Sequence, residues 1–176
     1  YRKFNGGVGA AVKNGYNHSI NDKNDITVRI DGDGQMDLKL IKSFIDPIID
    51  QKADFTKGNR FKDLVFINKM PTIRIIGNIF FSMIGNLVTK NFKIFDFLNG
   101  YTSISNIVLK KVLKTNLDDD FYFDTVLIYQ LNKLKVKILD VPMKAKYENE
   151  KSNINILTTG MSFIFKNLIF LLGIKK

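Results

Sequence analysis

The chain has 176 residues, of which 45% are hydrophobic and 25% are charged, as in an ordinary globular protein. This length supports one domain with a hydrophobic core, but not comfortably two. Because the sequence has no cysteine, disulfides, thiolate metal ligands and a cysteine nucleophile are excluded. The net charge of +10 predicts an anionic partner, such as a phospholipid surface, a phosphorylated small molecule or a nucleic acid.

The start of the chain has no recognisable targeting signal. Residue 1 is Tyr, and no charged segment followed by an apolar one comes before the first predicted element. We therefore expect the sequence to begin inside a longer protein.

The first half of the chain predicts a helix, a strand, an acidic loop and a second helix, in that order. Residues 9–18 have helical spacing after a glycine-rich turn, and the β-branched run at 26–30 is typical of a buried strand. Asp37 is suited to cap a helix whose apolar residues recur at helical spacing. This order of elements is typical of an α/β layered domain.

The second half predicts three helices and a closing strand. The helices are residues 71–90, 103–114 and 119–134, and the last of them has acidic residues at the positive end of its dipole. Residues 136–141 predict a strand that Pro142 ends. Since no internal repeat or second core is visible, we expect one domain.

Two apolar segments suggest contact with a membrane. Residues 71–90 are interrupted by one charged and two amide side chains, so we do not predict a span; the helix could pack against a membrane or under the core. Residues 161–174 are nearly all apolar, but a span needs about 20 apolar residues. Because lysines bracket this segment, we interpret residues 154–176 as a basic and apolar juxtamembrane or interfacial helix, with a core-packing helix as the alternative.

The most informative residues are Asp31-Gly32-Asp33-Gly34-Gln35, directly after the first predicted strand. Two carboxylates one residue apart can face one cavity, where a cation would relieve their repulsion. Carboxylate oxygens suit Mg²⁺ or Mn²⁺, either of which also binds a diphosphate. The loop therefore predicts a metal site that assists the departure of a diphosphate.

Other interpretations of this loop are possible. An EF-hand calcium loop is excluded, because the sixth and twelfth positions counted from Asp31 are Met36 and Lys42 rather than Gly and Glu. A phosphatase of the haloacid-dehalogenase type would use Asp31 as its nucleophile, but it usually continues with Thr where this chain has Gln35. A solvated Asp-Gly turn without chemistry is the third alternative.

Five blocks of sequence stand out, at residues 5–11 with 15–16, 31–35, 53–54 with 58–61, 99–102, and 140–143 with 151–152. In their order and spacing, these blocks resemble the family 2 glycosyltransferases of the GT-A fold, especially the branch with dolichol-phosphate mannose synthase and bacterial polyprenyl-phosphate sugar transferases. The resemblance implies an α/β fold of the GT-A type, a Rossmann-like three-layer sandwich with a mixed sheet. It also implies that residues 1–153 are a partial catalytic domain whose N-terminal strand or strands are missing.

The resemblance assigns roles to the acidic loop by position. Asp33 would bind the metal directly, and Asp31 would share the metal and contact the donor. Gln35 would support the metal shell, and the cofactor would be Mg²⁺ or Mn²⁺.

The resemblance also assigns donor-phosphate contacts outside the loop. Arg60 and Arg74 would bind phosphate through their forked guanidinium groups, and Lys151 and Ser152 would reach the donor from a loop. A surface ion pair is the alternative for Arg60, and a solvated side chain is the alternative for Lys151. Arg74 lies in an apolar run, where an unpaired charge would be costly, so a functional partner is favoured.

On the acceptor side, the resemblance places Asn99, Gly100 and Tyr101 along the cleft, with a plain Asn-Gly turn as the alternative. Asp124 matches the carboxylate base of inverting transfer, although relatives often have Glu there. A lipid-phosphate acceptor is already an anion, so Asp124 would then orient it rather than deprotonate it. The alternative is a carboxylate that only stabilises the helix dipole.

The function implied is an enzyme, an inverting glycosyltransferase that moves a sugar from a nucleotide-diphosphate sugar to a membrane-associated acceptor such as polyprenyl phosphate. The same chemistry onto a saccharide or a protein is the alternative. We expect it at the cytoplasmic face of a membrane, peripheral or anchored by segments outside this sequence. We expect no nucleic-acid partner, because the lysines are not interleaved with aromatic residues in a recognisable module.

Overall fold

The computed structural model describes residues 5–62, 72–90, 94–144 and 165–167. The elements, in chain order, are α1 (Val8–Asn21), β1 (Ile26–Arg29), a 3-10 helix (Leu38–Leu40), α2 (Ile41–Ile49), β2 (Phe55–Asn59), α3 (Thr72–Thr89), β3 (Thr102–Ser105), α4 (Asn106–Val112), α5 (Phe123–Lys133) and β4 (Ile138–Pro142).

The four strands form one mixed sheet in the order β1-β3-β2-β4. The strand β3 runs antiparallel to both of its neighbours, whereas β2 and β4 are parallel. The predicted mixed sheet is therefore confirmed.

Helices cover both faces of the sheet, so that the fold has three layers. On one face, Phe44 of α2 packs with Tyr101, Val141 and Met143. On the other face, the larger core contains buried side chains from α1, α4 and α5, which are Tyr16, Val108, Leu109, Val112, Phe123, Val126, Leu127 and Leu131. This arrangement confirms the predicted α/β fold class.

Several predicted elements are confirmed with small shifts in their ends. α1 and β1 occupy the predicted positions, and the carboxylate of Asp37 accepts the backbone N–H of Lys39 at 3.0 Å as a cap. The long helix predicted at 71–90 is α3, and its predicted first residue, Pro71, lies outside the described residues. Within the described part of the chain, no helix has the length and hydrophobicity required to cross a bilayer.

Two predicted helix starts are wrong, and two strands, β2 and β3, were not predicted. Residues 102–105 form β3 rather than the start of a helix, because they pair with strands on both sides and α4 begins at Asn106. Residues 119–122 are also not helical; α5 begins at Phe123, after a turn in which Asp120 accepts the N–H of Tyr122 at 3.2 Å. The other strand that was not predicted is β2, whose sequence FTKGN contains a lysine and a glycine but is buried throughout.

Residues 145–164 and 168–176 lie outside the described residues. The predicted interfacial helix at 154–176 therefore stays a prediction, and only residues 165–167 of it are described, as a helical turn.

Candidate active site

The acidic loop and the predicted acceptor loop meet at the same edge of the sheet. Because β1 and β3 are antiparallel and Arg29 pairs with Thr102, the chain that leaves β1 runs beside the chain that enters β3. As a result, Asp31 lies against Gly100, so closely that a Cβ at Gly100 would collide with the Asp31 carboxylate. A larger residue there would force the Asp31 carboxylate to move, so a predicted metal ligand lies directly beside a predicted acceptor-side residue.

Arg29, the last residue of β1, joins Asp31 to Asp124. Its Nη1 donates to Oδ1 of Asp124 at 2.8 Å, and its Nη2 donates to Oδ1 of Asp31 at 3.4 Å. The side chains of Arg29 and Asp124 are only 10% and 16% exposed, so water and salt screen this pair weakly. The guanidinium carbon also lies 5.9 Å from the centre of the Phe123 ring. One buried cation therefore holds the candidate metal ligand near the candidate base.

The carboxylates beside Arg29 stabilise its charged form. Burial alone would lower the pKa of Arg29, but the carboxylates of Asp124 and Asp31 outweigh burial and raise that pKa above its ordinary value. Sequence reasoning missed this residue. A single arginine in the β-branched run at 26–30 was the available signal, because a charge in a buried strand requires a partner.

The rest of the acidic loop is open to solvent. Asp33 is exposed, and its Oδ1 accepts the backbone N–H of Gln35 at 3.0 Å, which closes a local turn. Gly34 has a φ of 74°, a left-handed conformation that favours glycine. The backbone N–H of Asp31 points to the sulfur of Met36, at 3.4 Å. These contacts fix the loop while they leave the Asp33 carboxylate exposed.

Asp31 and Asp33 supply carboxylate oxygens, which are the type of ligand that a hard divalent cation binds together with phosphate. The side chain of Asp31 is 38% exposed, and Asp33 is exposed as well. Across the described ranges, no three His, Cys, Asp or Glu side chains group to hold a metal ion. A cation at this edge would therefore need oxygen ligands from a phosphate and from water, which is the usual way that proteins bind Mg²⁺.

Arg60 has a carboxylate partner inside the protein. Its Nε and Nη2 donate to the two carboxylate oxygens of Asp96 at 2.7 and 2.8 Å, a bidentate pair. The Asp96 side chain is fully buried, and that of Arg60 is 12% exposed. This contact agrees with the ion-pair alternative, although the pair is buried rather than on the surface. A phosphate contact of Arg60 stays a prediction.

The buried side chains of Asn99 and Tyr101 hold the predicted acceptor loop in place. Oδ1 of Asn99 accepts the N–H of Tyr101 at 3.0 Å, and Asn99 is only 3% exposed. The fully buried ring of Tyr101 stacks on Phe44 at a centroid distance of 3.9 Å, and its hydroxyl donates to the carbonyl of Asp37 at 3.3 Å. Gly100, which lies between Asn99 and Tyr101, is in close contact with Asp31.

A row of polar residues crosses the sheet behind the site. Arg29, Thr102, Lys57 and Asp140 are successive cross-strand partners, so their side chains share one face. Lys57 is fully buried, and its Nζ donates to the carbonyl of Asn99 at 2.6 Å. Burial lowers the pKa of Lys57 and raises that of Asp140. Sequence reasoning did not anticipate this row.

The structure does not describe the side chains of the other residues that are predicted to contact the donor. The backbone of Arg74 belongs to α3, but its side chain is not among the described ones, and Lys151 and Ser152 lie outside the described residues. Their roles stay predictions.

No family model matches the chain, but two curated relatives do. An uncharacterized protein of Methanocaldococcus jannaschii is 27% identical over 164 residues, which are 93% of this chain and 67% of that protein. The UDP-N-acetylglucosamine–dolichyl-phosphate N-acetylglucosaminyltransferase of Methanococcus voltae is 28% identical over 173 residues, or 96% of this chain and 67% of that protein.

The fold is similar to that of glucosyl-3-phosphoglycerate synthase from Mycobacterium tuberculosis. The complex of that enzyme with Mn²⁺ and UDP-glucose matches with a TM-score of 0.67 at 15% identity, covering 97% of this chain and 56% of the other. Its complex with Mn²⁺, UDP and phosphoglyceric acid matches with a TM-score of 0.66, again at 15% identity, and covers 97% and 55%. The chain thus spans little more than half of these solved chains and about two thirds of its curated relatives. Fold and relatives together confirm the predicted resemblance to the family 2 glycosyltransferases of the GT-A fold.

Proposed function

We propose that this chain is the catalytic part of an inverting glycosyltransferase that moves a sugar from a nucleotide-diphosphate sugar to a membrane-associated acceptor such as polyprenyl phosphate. The observation that carries the proposal is the edge of the sheet where Arg29 joins Asp31 to Asp124 and Gly100 touches Asp31. A metal ligand, a candidate base and an acceptor loop are the parts that such a transfer requires.

The donor would bind on the acidic loop. Asp31 and Asp33 would bind Mg²⁺ or Mn²⁺, and Gln35 would support the metal shell. The metal would neutralise charge on the departing diphosphate. Arg74, Lys151 and Ser152 are proposed to contact donor phosphates. Arg60 would act mainly through Asp96, because that carboxylate already binds its guanidinium group. The solved relatives hold Mn²⁺ with a UDP-sugar or UDP, which supports a donor of this class.

In the transfer, an acceptor oxygen bonds to the anomeric carbon while the bond from that carbon to the diphosphate oxygen breaks, so the configuration inverts. With a hydroxyl acceptor, Asp124 takes the proton. With a phosphate acceptor no proton has to be removed, and Asp124, held by Arg29, orients the acceptor.

A lipid-phosphate acceptor is favoured by the Methanococcus voltae relative, whose name gives dolichyl phosphate as its acceptor. Transfer to a saccharide or protein is the alternative acceptor, and location at a membrane surface belongs to the same proposal. A phosphatase with Asp31 as nucleophile is less well supported, because the named relative and the similar structures are sugar transferases.

The test uses the full-length protein. Labelled UDP- and GDP-sugars are incubated with Mn²⁺ and either a short-chain polyprenyl phosphate or a saccharide, and product is followed in the organic and aqueous phases. We expect organic-phase product that EDTA abolishes, and a loss of roughly 100-fold or more in Asp33→Asn with unchanged circular dichroism. Aqueous product alone would favour the saccharide alternative. A phosphorylated Asp31 without sugar transfer would overturn the proposal.

A further inference from the structure

The helix α3 (Thr72–Thr89) presents a row of large apolar side chains to solvent. These residues, which we call the outer stripe, are Ile76, Ile79, Phe80, Met83 and Leu87, with exposures of 60%, 47%, 49%, 59% and 61%. At 3.6 residues per turn they fall within an arc of about 100° on one side of the helix. An apolar arc of this width normally faces a protein core.

The opposite side of α3 is buried although it is rich in small and polar residues. Asn78, Ser82 and Thr89 are each less than 10% exposed. The hydroxyl of Ser82 accepts the N–H of Phe97 at 3.3 Å, and the carbonyl of Thr89 accepts a hydrogen bond from the side chain of Asn132 at 2.9 Å. The apolar residues described on this side are fewer: Phe81 and Ile84 pack partly against the main core, and Val88 is 4% exposed. The helix is therefore amphipathic, but its broadest apolar face points to solvent rather than to the protein core.

The loop that follows α3 connects the outer stripe to the candidate active site. Phe97 of this loop packs against Gly85 of α3, which holds the loop on the helix. Its neighbours Phe95 and Leu98 are 58% and 41% exposed, and the loop then reaches Gly100 beside Asp31. Single exposed apolar residues are ordinary, but five on one side of a helix, followed by two on the next loop, are typical of a binding surface.

The segment of sequence that contains the stripe has a positive net charge. Residues 62–93 contain Lys62, Lys69, Arg74, Lys90 and Lys93 against Asp63, a net charge of +4. Lys62 and Lys90 are exposed, and Lys90 directly follows the helix. An apolar stripe in a cationic segment complements an anionic bilayer, whose headgroups attract lysine and whose acyl region accepts apolar side chains. A second copy docked on the same face would bring like charges together.

We propose that the outer stripe, together with Phe95 and Leu98, is the surface that docks on an anionic phospholipid bilayer. The helix would lie in the interface rather than cross it. The inference rests on the proposed function in one respect: a lipid-phosphate acceptor in that bilayer would reach the edge where Gly100 meets Asp31.

Flotation of the full-length protein with vesicles tests the surface. We expect binding to vesicles of phosphatidylglycerol and phosphatidylcholine, and much weaker binding to phosphatidylcholine alone. Met83→Glu and Leu87→Glu should each weaken binding to the anionic vesicles by about tenfold or more, because each places a carboxylate at the headgroups. The matched control is Ile107→Glu, at an apolar residue on α4 that is 73% exposed, and it should bind as the wild type does.

Thermal unfolding and light scattering accompany the flotation. Unchanged vesicle binding in correctly folded Met83→Glu would overturn the proposal, as would a wild-type dimer that Met83→Glu converts to a monomer. The same experiments distinguish failure of the docking surface from failure of the proposed function. If the protein floats with the vesicles but transfers no sugar, the docking surface is supported and the proposed function is contradicted. If it transfers sugar to a short-chain acceptor in detergent but does not float with the vesicles, the proposed function is supported and the docking surface is contradicted.

Discussion

Nη1 of Arg29 lies 2.8 Å from Oδ1 of Asp124, in a pair whose side chains are 10% and 16% exposed. Removing one partner of such a pair leaves a buried charge without compensation, which typically destabilises a protein by a few kcal/mol. The same arginine also reaches Asp31. The pair therefore contributes both to stability and to the geometry of the candidate site.

Arg29→Gln should lower the free energy of unfolding by about 3 kcal/mol and reduce sugar transfer by roughly 100-fold. Arg29→Lys keeps the charge but has no fork to hold both carboxylates, so we expect it to recover more stability than activity. Urea unfolding and initial rates measure the two effects. Lys42→Gln, which removes an exposed ion pair with Asp46, is the control and should change stability by less than about 0.5 kcal/mol. Equal activity in Arg29→Lys and the wild type would contradict the assigned role.

Gly100→Ala should lower both stability and activity, because a methyl group at this position collides with the Asp31 carboxylate. We expect a destabilisation of about 1–3 kcal/mol, as for other overpacked sites. Gly15→Ala is the matched control: Gly15 lies inside α1 with open space around it, so alanine should stabilise the helix by up to about 1 kcal/mol. Thermal melts and rates at saturating donor distinguish the two variants. A Gly100→Ala enzyme with wild-type rates would argue against the close approach.

Arg60→Gln tests whether this arginine acts through Asp96. Since Asp96 is fully buried, its unpaired carboxylate should destabilise the protein by about 3–5 kcal/mol. Arg60→Gln combined with Asp96→Asn should recover part of that loss, because no charge is then left buried. Denaturant titrations of the single and double variants give the coupling between the two side chains. Unchanged stability with a raised KM for the donor would instead favour a direct phosphate contact.

Asp140→Asn should alter the pH dependence of stability. Burial raises the pKa of Asp140 above its usual value of 3.8, so the folded state prefers the protonated form. The stabilisation linked to this proton is complete below pH 3.8 and is lost as the pH rises through the raised pKa. Asparagine does not titrate, so the stability of Asp140→Asn relative to the wild type should increase from about pH 4 upward. Urea unfolding between pH 4 and pH 7 measures this difference, and parallel curves would contradict it.

The fold class and the acidic loop could be predicted from sequence because they depend on local signals. The β-branched run before Asp31 predicts a strand, and the apolar spacing after Asp37 predicts a helix. β2 gave no such signal. Its Lys57 and Gly58 are poor strand formers, and they are accommodated by a hydrogen bond from Lys57 to the carbonyl of Asn99 and by close packing of Gly58 against Asn99.

The partners of the site residues were not predictable, because they come from distant parts of the chain. Neither Arg29 nor Asp96 has a neighbour in sequence that identifies its partner; Arg29 meets Asp124, and Asp96 meets Arg60, only through the packing of the sheet and its loops. For the same reason, it was left open whether the helix at residues 71–90 packs against a membrane or under the core. The buried hydrogen bonds of Ser82 and Thr89 decide which face points inward.

The strand order β1-β3-β2-β4 also affects how the site assembles during synthesis. β1 and β2 leave the ribosome first, but they form no ladder with each other; β3, which comes much later in the chain, has to insert between them. Pairings that are so distant in sequence form slowly. The nascent chain must therefore carry Asp31 without its neighbouring loop until residues beyond 105 have emerged, so the contact between Asp31 and Gly100 cannot form before the central strand is in place.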